Sequence, residues 1–201
     1  MRVPGLEVAT VVEFQLDVAA ARASVEQRLS RSDIPGDVSI VHFAPTLVRE
    51  VATASSDSAA DSFMQYHKRG DSGWLAIDGS GKVIGYCWRL DNRGKSIVRQ
   101  KIAIPAGYSL FHDEWTAPAW RGRGIQPTLL SMSLREALTQ ATWPVQGFLT
   151  GMEVTNYASQ RSSAKVGFVA LCCVTSLCIY RRWFVLRVGA VPEDVRRQTG
   201  V

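Results

Sequence analysis

The fold is decided by the stretch Trp120-Arg121-Gly122-Arg123-Gly124-Ile125-Gln126, which joins a predicted strand to a predicted helix. Residues 108–116 form the strand, which runs into Pro118. Residues 127–141 carry apolar side chains at helical spacing, and Pro127 stands in the first turn, where its missing N–H is harmless. The order is therefore strand, glycine-rich turn, helix.

The glycine-rich turn predicts a binding site for a phosphate or pyrophosphate group. Backbone N–H groups at a helix start have no partner within the helix, and the helix dipole adds positive potential there. Arg121 and Arg123 flank these groups, and the planar guanidinium suits phosphate. The patterns GxxxxGK[ST] and GxGxxG are absent, since Ile-Gln-Pro follows Gly124, so nucleoside triphosphates and dinucleotides are disfavoured.

The remaining pattern predicts a mixed α+β protein with a mostly antiparallel sheet flanked by helices. Residues 97–104 are either a further strand or a flap, and the polar residues 53–62 are either a mobile lid or a helix cap. The predicted strands occupy residues 11–16, 38–43, 74–77, 83–90, 108–116, 145–154, 168–179 and 183–188, and the predicted helices residues 18–29, 57–68, 127–141 and 156–165.

The length of the chain predicts one domain, because 201 residues can bury a continuous core without dividing. Within it, residues 1–72 are a poorly defined N-terminal part, 73–190 the core and 191–201 a tail. Glu7 and Glu13 interrupt the apolar stretch that a secretory signal needs, and no apolar run approaches the roughly 20 residues of a membrane span. We expect a cytoplasmic protein that does not bind membranes.

The net charge of +5 rests on arginine, with 18 Arg against 5 Lys. Nucleic acid, an anionic membrane and a polyphosphorylated small molecule are the partners that such a balance invites. A recognition helix rich in Lys or Arg is absent from the sequence, so we expect no nucleic acid. The four cysteines lack paired metal-ligand spacing, so we expect buried thiols and no metal.

The glycine-rich turn and two further segments resemble those of a known family, the GNAT acetyltransferase superfamily. Its acetyl-CoA loop reads Arg or Gln, two residues, Gly, one residue, then Gly or Ala, and Arg121, Gly124 and Gln126 hold those places here. Residues 116–120, Thr-Ala-Pro-Ala-Trp, resemble the lead-in to the loop. Residues 156–168, from Asn-Tyr-Ala-Ser to Lys-Val-Gly-Phe, resemble the family's segment N-x-x-[AS] followed by K-x-GF.

The resemblance covers residues 73–168, because the hairpin at 74–88 is similar to the family's second and third strands. It implies a GNAT-like sheet splayed at the turn, with acetyl-CoA (coenzyme A) as cosubstrate. Pantetheine would lie in the gap against the strand backbone, and the pyrophosphate would sit on the helix N-terminus. The cofactor-binding residues that the resemblance implies are Trp115, Thr116, Ala117, Arg121, Gly122, Arg123, Gly124, Ile125, Gln126, Asn156 and Ser159.

The sequence departs from the family pattern at two places. Gln126 stands where the family keeps a small residue, which implies a slightly displaced cofactor. Ser163 occupies the place of a tyrosine that reprotonates the departing thiolate in many members, and it keeps a hydroxyl of shorter reach. Alternatives for this general acid are water and the hydroxyl groups of Ser159, Ser162 and Tyr157.

Acetyl transfer to an amine also needs a group that accepts a proton. Alternation along residues 108–116 places His112 and Glu114 on one face of the strand, unless a β-bulge changes the parity. His112 lies nine residues before Arg121, where family members acting on arylalkylamines carry a catalytic histidine, and an imidazole pKa of about 6.5 suits the task. Glu114, acting directly or through a water, is the alternative base, and Asp113 on the other face is a third.

The leading functional hypothesis is an acetyl-CoA-dependent N-acetyltransferase acting on a primary amine of a small molecule. We expect direct attack in a ternary complex, because no cysteine falls on the predicted active strand. One alternative is an acyltransferase that uses longer acyl-CoA or acyl carrier protein. Another is a catalytically weak GNAT-like module that binds CoA. A homodimer is a possible assembly, since dimers are common in the family.

Overall fold

A computed structural model describes residues 6–31, 34–99, 102–140, 142–179 and 182–199. Ala141 of the predicted fourth helix and the last two residues of the predicted tail lie outside these ranges. The strands are β1 (Leu6–Asp17), β2 (Ser39–His42), β3 (Ser72–Ile77), β4 (Val83–Asp91), β5 (Ile97–Arg99), β6 (Ile102–Ile104), β7 (Tyr108–Thr116), β8 (Gly147–Glu153), β9 (Val169–Ile179) and β10 (Arg182–Gly189). The helices are α1 (Val18–Arg31), α2 (Val48–Ala54), α3 (Asp57–Arg69), α4 (Ile125–Gln140), α5 (Tyr157–Ala164) and α6 (Glu193–Thr199).

Eight of these strands form one sheet in the order β10-β9-β1-β8-β7-β4-β3-β2. Adjacent strands are antiparallel except β7 and β8, which run parallel. A crossover through α4 separates these two strands in the chain, as a parallel pair requires. The α+β class and the mostly antiparallel sheet are therefore confirmed.

Helices cover the two faces of the sheet in separate groups. On one face, which we call the α4 side, α1 and α4 pack over β1 and β8 in a cluster that includes Phe14, Leu134 and Phe148. On the other face, the α3 side, α2 and α3 pack over β3 and β4 around Phe63 and Trp88. The β5–β6 hairpin covers the α3 side of β7 and β8 through buried apolar side chains.

The structure distinguishes between the alternatives that the sequence allows for residues 97–104 and 53–62. Residues 97–104 contain the β5–β6 hairpin rather than one continuous strand. Among residues 53–62, α2 ends at Ala54, and the Ser56 side chain accepts a hydrogen bond from the N–H of Ala59 to cap α3. The helix-cap interpretation is the one the structure supports. Helices α2 and α6 have no counterpart among the predicted elements.

Candidate active site

The turn between β7 and α4 depends on two glycines in the left-handed backbone region. Thr116 ends β7, a 3₁₀ turn follows at Pro118–Trp120, and α4 begins at Ile125. Gly122 has a φ of 79° and Gly124 a φ of 77°, which side chains with a Cβ rarely adopt. The two glycines therefore let the chain reverse direction between the strand and the helix.

Residues 122–126 present free backbone N–H groups at the N-terminus of α4. None of these groups donates a backbone hydrogen bond to another described residue. Beside them, the exposed Arg121 donates from Nε to the Thr116 carbonyl at 3.2 Å, and the exposed Arg123 lies 5.0 Å from the ring centre of Trp120. The free N–H groups, the helix dipole and the two guanidinium groups together suit an anion such as phosphate.

A gap between β7 and β8 leads away from this turn. The two strands pair from Tyr108 and Gly147 only as far as Phe111 and Thr150. Beyond that point β7 stays paired with β4 to Thr116, while β8 stays paired with β1 to Glu153. The sheet therefore divides into two halves next to the glycine-rich turn.

A β-bulge in β7 lies at the start of this gap. Tyr86 pairs with Trp115 and Trp88 with His112, so two residues of β7, Asp113 and Glu114, lie opposite one residue of β4. Asp113 has a φ of 50°, in the left-handed region. The bulge changes the parity of the strand, so that His112 contacts the α3 side and Glu114 the α4 side. The expectation that regular alternation gives these two residues one face is therefore wrong.

Glu114 lies between the two halves of the sheet. Thr150 of β8 donates a hydrogen bond from Oγ1 to Glu114 Oε1 at 3.3 Å, and Gln126 of α4 donates from Nε2 to Oε2 at 3.3 Å. The Gln126 side chain also accepts from Thr116 Oγ1 at 3.1 Å, so it turns back toward β7. The two hydrogen bonds lower the pKa of Glu114, but burial raises it more, and the net result is a pKa of about 7.

His112 is enclosed on the α3 side, with a side chain only 1% exposed. Its Nε2 lies 3.0 Å from Asp71 Oδ2, and Asp71 is also paired with Arg69. Burial opposes the ionised form of Asp71, but the bonds from His112 and Arg69 hold the pKa of Asp71 below its usual range. The Tyr66 ring packs edge-on against the imidazole at 4.9 Å. The Nδ1 atom of His112 is buried and has no partner among the described residues.

Asp113 lies among aromatic rings on the same side. The rings of Tyr86 and Trp115 stack with centres 5.4 Å apart. Burial and, after it, the neighbouring Asp113 carboxylate raise the pKa of Tyr66 to about 12. The pKa of Tyr86 is raised as well, mainly by burial and then by the Asp113 carboxylate. A partly exposed carboxylate beside the rings of Tyr66 and Tyr86 is suited to an organic cation.

The residues of the predicted strand backbone are largely engaged within the protein. Trp115 and Thr116 pair with β4. Ala117 donates its N–H to the Ile84 carbonyl at 2.8 Å, and its carbonyl accepts from the Trp120 N–H at 2.8 Å. The contacts that remain for a ligand here come from the free N–H groups of the turn and from the side of β7 that faces the gap.

The predicted residues of α5 divide between a cap and the core. Asn156 caps the helix, because its Oδ1 accepts a hydrogen bond from the Ser159 N–H at 3.3 Å. Ser163 is completely buried, and its hydroxyl donates to Met152 Sδ at 3.9 Å. The Ser163 hydroxyl is therefore enclosed by protein on the inner side of α5.

A polar cavity of about 320 Å³ lies at the other end of α4. Arg89 is 3% exposed there and donates to Asp91 and Ser133, and it pairs with Glu136 at 3.2 Å. Burial opposes the ionised form of Glu136, but hydrogen bonds from His42 and Ser72 and the charge of Arg89 lower its pKa to about 2. These paired charges join β3 and β4 to the C-terminal half of α4.

Among the described residues, no helix is long and apolar enough to cross a membrane. Within the same part of the chain, no group of three or more His, Cys, Asp or Glu side chains is placed to share a metal ion.

Comparison of the sequence with protein-family models and with curated proteins yields no match. Solved structures do match. A Drosophila protein has a TM-score of 0.60 at 12% identity over 90% of this chain and 54% of its own. A tandem GNAT protein from the clavulanic acid biosynthesis pathway has a TM-score of 0.55 at 15% identity over 87% of this chain and 54% of its own.

A third similar structure is a GCN5-related N-acetyltransferase from Sphaerobacter thermophilus, with a TM-score of 0.53 at 16% identity over 94% of this chain and 55% of its own. This chain therefore spans a little over half the length of each of the three. Together with the divided sheet and the glycine-rich turn at the start of α4, these likenesses establish that the chain has the fold of the GNAT N-acetyltransferases.

Proposed function

We propose that the protein transfers an acetyl group from acetyl-CoA to a primary amine of a small molecule. The observation that carries the proposal is the gap between β7 and β8, which begins beside the free N–H groups of residues 122–126. A pyrophosphate on these groups would leave the pantetheine arm directed along the gap toward the bulge of β7. The fold is also that of known N-acetyltransferases.

The acceptor side of the proposal rests on Asp113 and its aromatic neighbours. The carboxylate faces the α3 side of the bulge, next to Tyr66 and Tyr86. An ammonium group is attracted both by a carboxylate and by the faces of aromatic rings. A cationic amine could therefore approach the bulge from the α3 side while the acyl donor enters the gap from the helix N-terminus.

The reaction is direct attack of the neutral amine on the thioester carbonyl, followed by release of coenzyme A. His112 is the proposed base, because Asp71 holds its Nε2 and leaves Nδ1 without a partner in the described part of the chain. Since the His112 side chain is 1% exposed, a water molecule would have to carry the proton from the amine to Nδ1. Backbone N–H groups near the bulge are the proposed donors to the tetrahedral oxyanion.

Two measurements on the purified protein test the proposal. Isothermal titration with acetyl-CoA measures binding, and a thiol reagent measures release of free coenzyme A across a panel of amino sugars, amino acids and polyamines. We expect saturable binding and amine-dependent release of thiol. Absence of binding would contradict the whole proposal.

A second candidate function is a CoA-binding module without turnover. It is favoured by the complete burial of Ser163 and by the Gln126 side chain, which bridges Glu114 and Thr116 beside the gap. Tight binding of acetyl-CoA without thiol release on any amine would support it. The same amine panel, run with longer acyl-CoA and with acyl carrier protein, tests the third candidate, an acyltransferase with a different acyl donor. Turnover confined to those donors would support it.

A further inference from the structure

Collapse of the tetrahedral intermediate in the proposed reaction expels a thiolate, and an acid close to the sulfur accelerates that step by protonating it. A thiol has a pKa of about 8.5, so proton donation to the departing sulfur is favourable from a group that titrates near neutrality. The Ser163 hydroxyl is fully buried and is directed at Met152 Sδ. The Ser163 hydroxyl is therefore poorly placed to be this acid.

Glu114 occupies the required position. It bonds to Thr150, the last residue of β8 that pairs with β7, and to Gln126 in the first turn of α4. Its carboxyl group thus lies between the closed end of the gap and the helix N-terminus. Both hydrogen bonds are long, at 3.3 Å, so neither holds the carboxyl group tightly against a competing partner.

The surroundings of Glu114 favour a neutral carboxyl group. No Lys, Arg or His among the described residues forms an ion pair with it. Glu114 influences Cys87 of β4, a buried thiol whose pKa is raised by burial and then by the charge of Glu114. Burial outweighs the hydrogen bonds from Thr150 and Gln126 and raises the pKa of Glu114 to about 7, so a large fraction carries its proton near neutral pH.

The bulge in β7 places His112 and Glu114 on opposite faces of the strand. It directs His112 to the α3 side of β7, the proposed amine side, and Glu114 to the α4 side, from which the donor enters. One strand would thus carry the proton acceptor and the proton donor on opposite faces, so that the two protons move on opposite sides of the reacting carbon.

We propose that Glu114 is the general acid that protonates the departing thiolate of coenzyme A, an inference that rests on the proposed function. The amine nitrogen forms a bond to the acyl carbon, the carbon–sulfur bond breaks, and the sulfur takes the proton of the Glu114 carboxyl group. The proton lost by the amine passes to the His112 side. Glu114 regains a proton from solvent after the products leave, and His112 returns its proton to solvent.

The test is Glu114→Gln, which keeps the size and the hydrogen-bonding capacity of the side chain but carries no acidic proton. We expect the single-turnover rate of acetyl transfer to fall by about 100-fold or more, while the Kd for acetyl-CoA stays within about threefold. Because the acid must hold its proton, we expect the wild-type rate to fall as the pH rises through the pKa of Glu114 and this limb to vanish in the variant.

Glu13→Gln is the matched control. Glu13 is also a partly buried carboxylate with a pKa raised by burial, but it lies on β1 and faces Cys172. We expect the Glu13→Gln variant to have the same rate and the same pH profile as the wild type. Circular dichroism and thermal unfolding of all three proteins establish that the substitutions leave the fold intact.

A Glu114→Gln rate within about fivefold of wild type would overturn the assignment, and so would an unchanged alkaline limb in that variant. A loss that appears only as weaker binding of acetyl-CoA would also overturn it, because it would mean that Glu114 supports the donor site. These outcomes require an active wild type. A wild type that releases no thiol with any amine contradicts the proposed function itself, and the role of Glu114 falls with it.

Discussion

His112 is buried, its Nε2 contacts Asp71, and its Nδ1 has no hydrogen-bond partner within the described ranges. If it is the base, His112→Ala lowers kcat by at least about 30-fold, within the range of general base catalysis. Asp71→Asn lowers kcat as well, because it removes the carboxylate that holds the imidazole at Nε2. A kcat for His112→Ala within about threefold of wild type, or roughly 0.7 kcal/mol in barrier, would exclude His112.

Asp113 has a testable role in binding the acceptor. Asp113→Asn removes the charge but tolerates the φ of 50° at this position, since Asn enters the left-handed region more readily than most residues. We expect the KM for the amine to rise by about tenfold or more and the KM for acetyl-CoA to stay within about twofold. Equal effects on both substrates would show that the change disturbs the bulge rather than the acceptor site.

The turn before α4 is the element whose conformation the donor site depends on. Gly122→Ala forces a Cβ into a φ of 79°, and no atom lies within 4 Å of that Cβ, so backbone strain is the direct effect. Gly81→Ala is the matched control, with a φ of 85° and equally open surroundings in the β3–β4 turn. We expect calorimetry to show weaker acetyl-CoA binding, by about tenfold, for the first variant only.

The turn before α4 and the strand that precedes it show how much of the site can be predicted from the sequence. The strand, the glycine-rich turn and the helix follow from local patterns, and α4 begins at Ile125, two residues before the predicted start. The bulge does not follow, because it depends on how β7 pairs with β4, which residues far apart in sequence determine. For that reason local patterns do not bring Asp71 and Tyr66 to the site, and they place His112 and Glu114 on one face unless a bulge changes the parity.

The position of β1 within the sheet cannot be predicted from local sequence patterns. The local pattern predicts a strand at residues 11–16, but nothing local predicts that β1 lies between β8 and β9. Phe14 and Leu16 of β1 are at most 2% exposed and belong to the same cluster as Phe148 of β8. The N-terminal strand therefore supports one wall of the gap, although its sequence carries no recognisable motif.

The ionisation of Glu114 also affects the stability of the whole molecule without any ligand. Its pKa is about 7 in the folded protein and about 4.3 in an unfolded chain. Between these values the folded state binds more protons, so the free energy of unfolding falls as the pH rises from about 4.5 to 7 and then levels. Discounted for the partial exposure of the side chain, the contribution is about 2 kcal/mol.

The variant Glu114→Gln isolates this contribution. We expect urea unfolding to show that the variant gains about 2 kcal/mol relative to wild type between pH 4.5 and 8. Glu13 and His42, whose pKa values are also raised, change stability in the same direction, but they are common to both proteins and cancel. Glu136, with a pKa of about 2, loses its stabilising ionisation only below this range. A constant difference between the two proteins across the range would mean that Glu114 is already ionised at pH 4.5, too acidic to donate a proton at neutral pH.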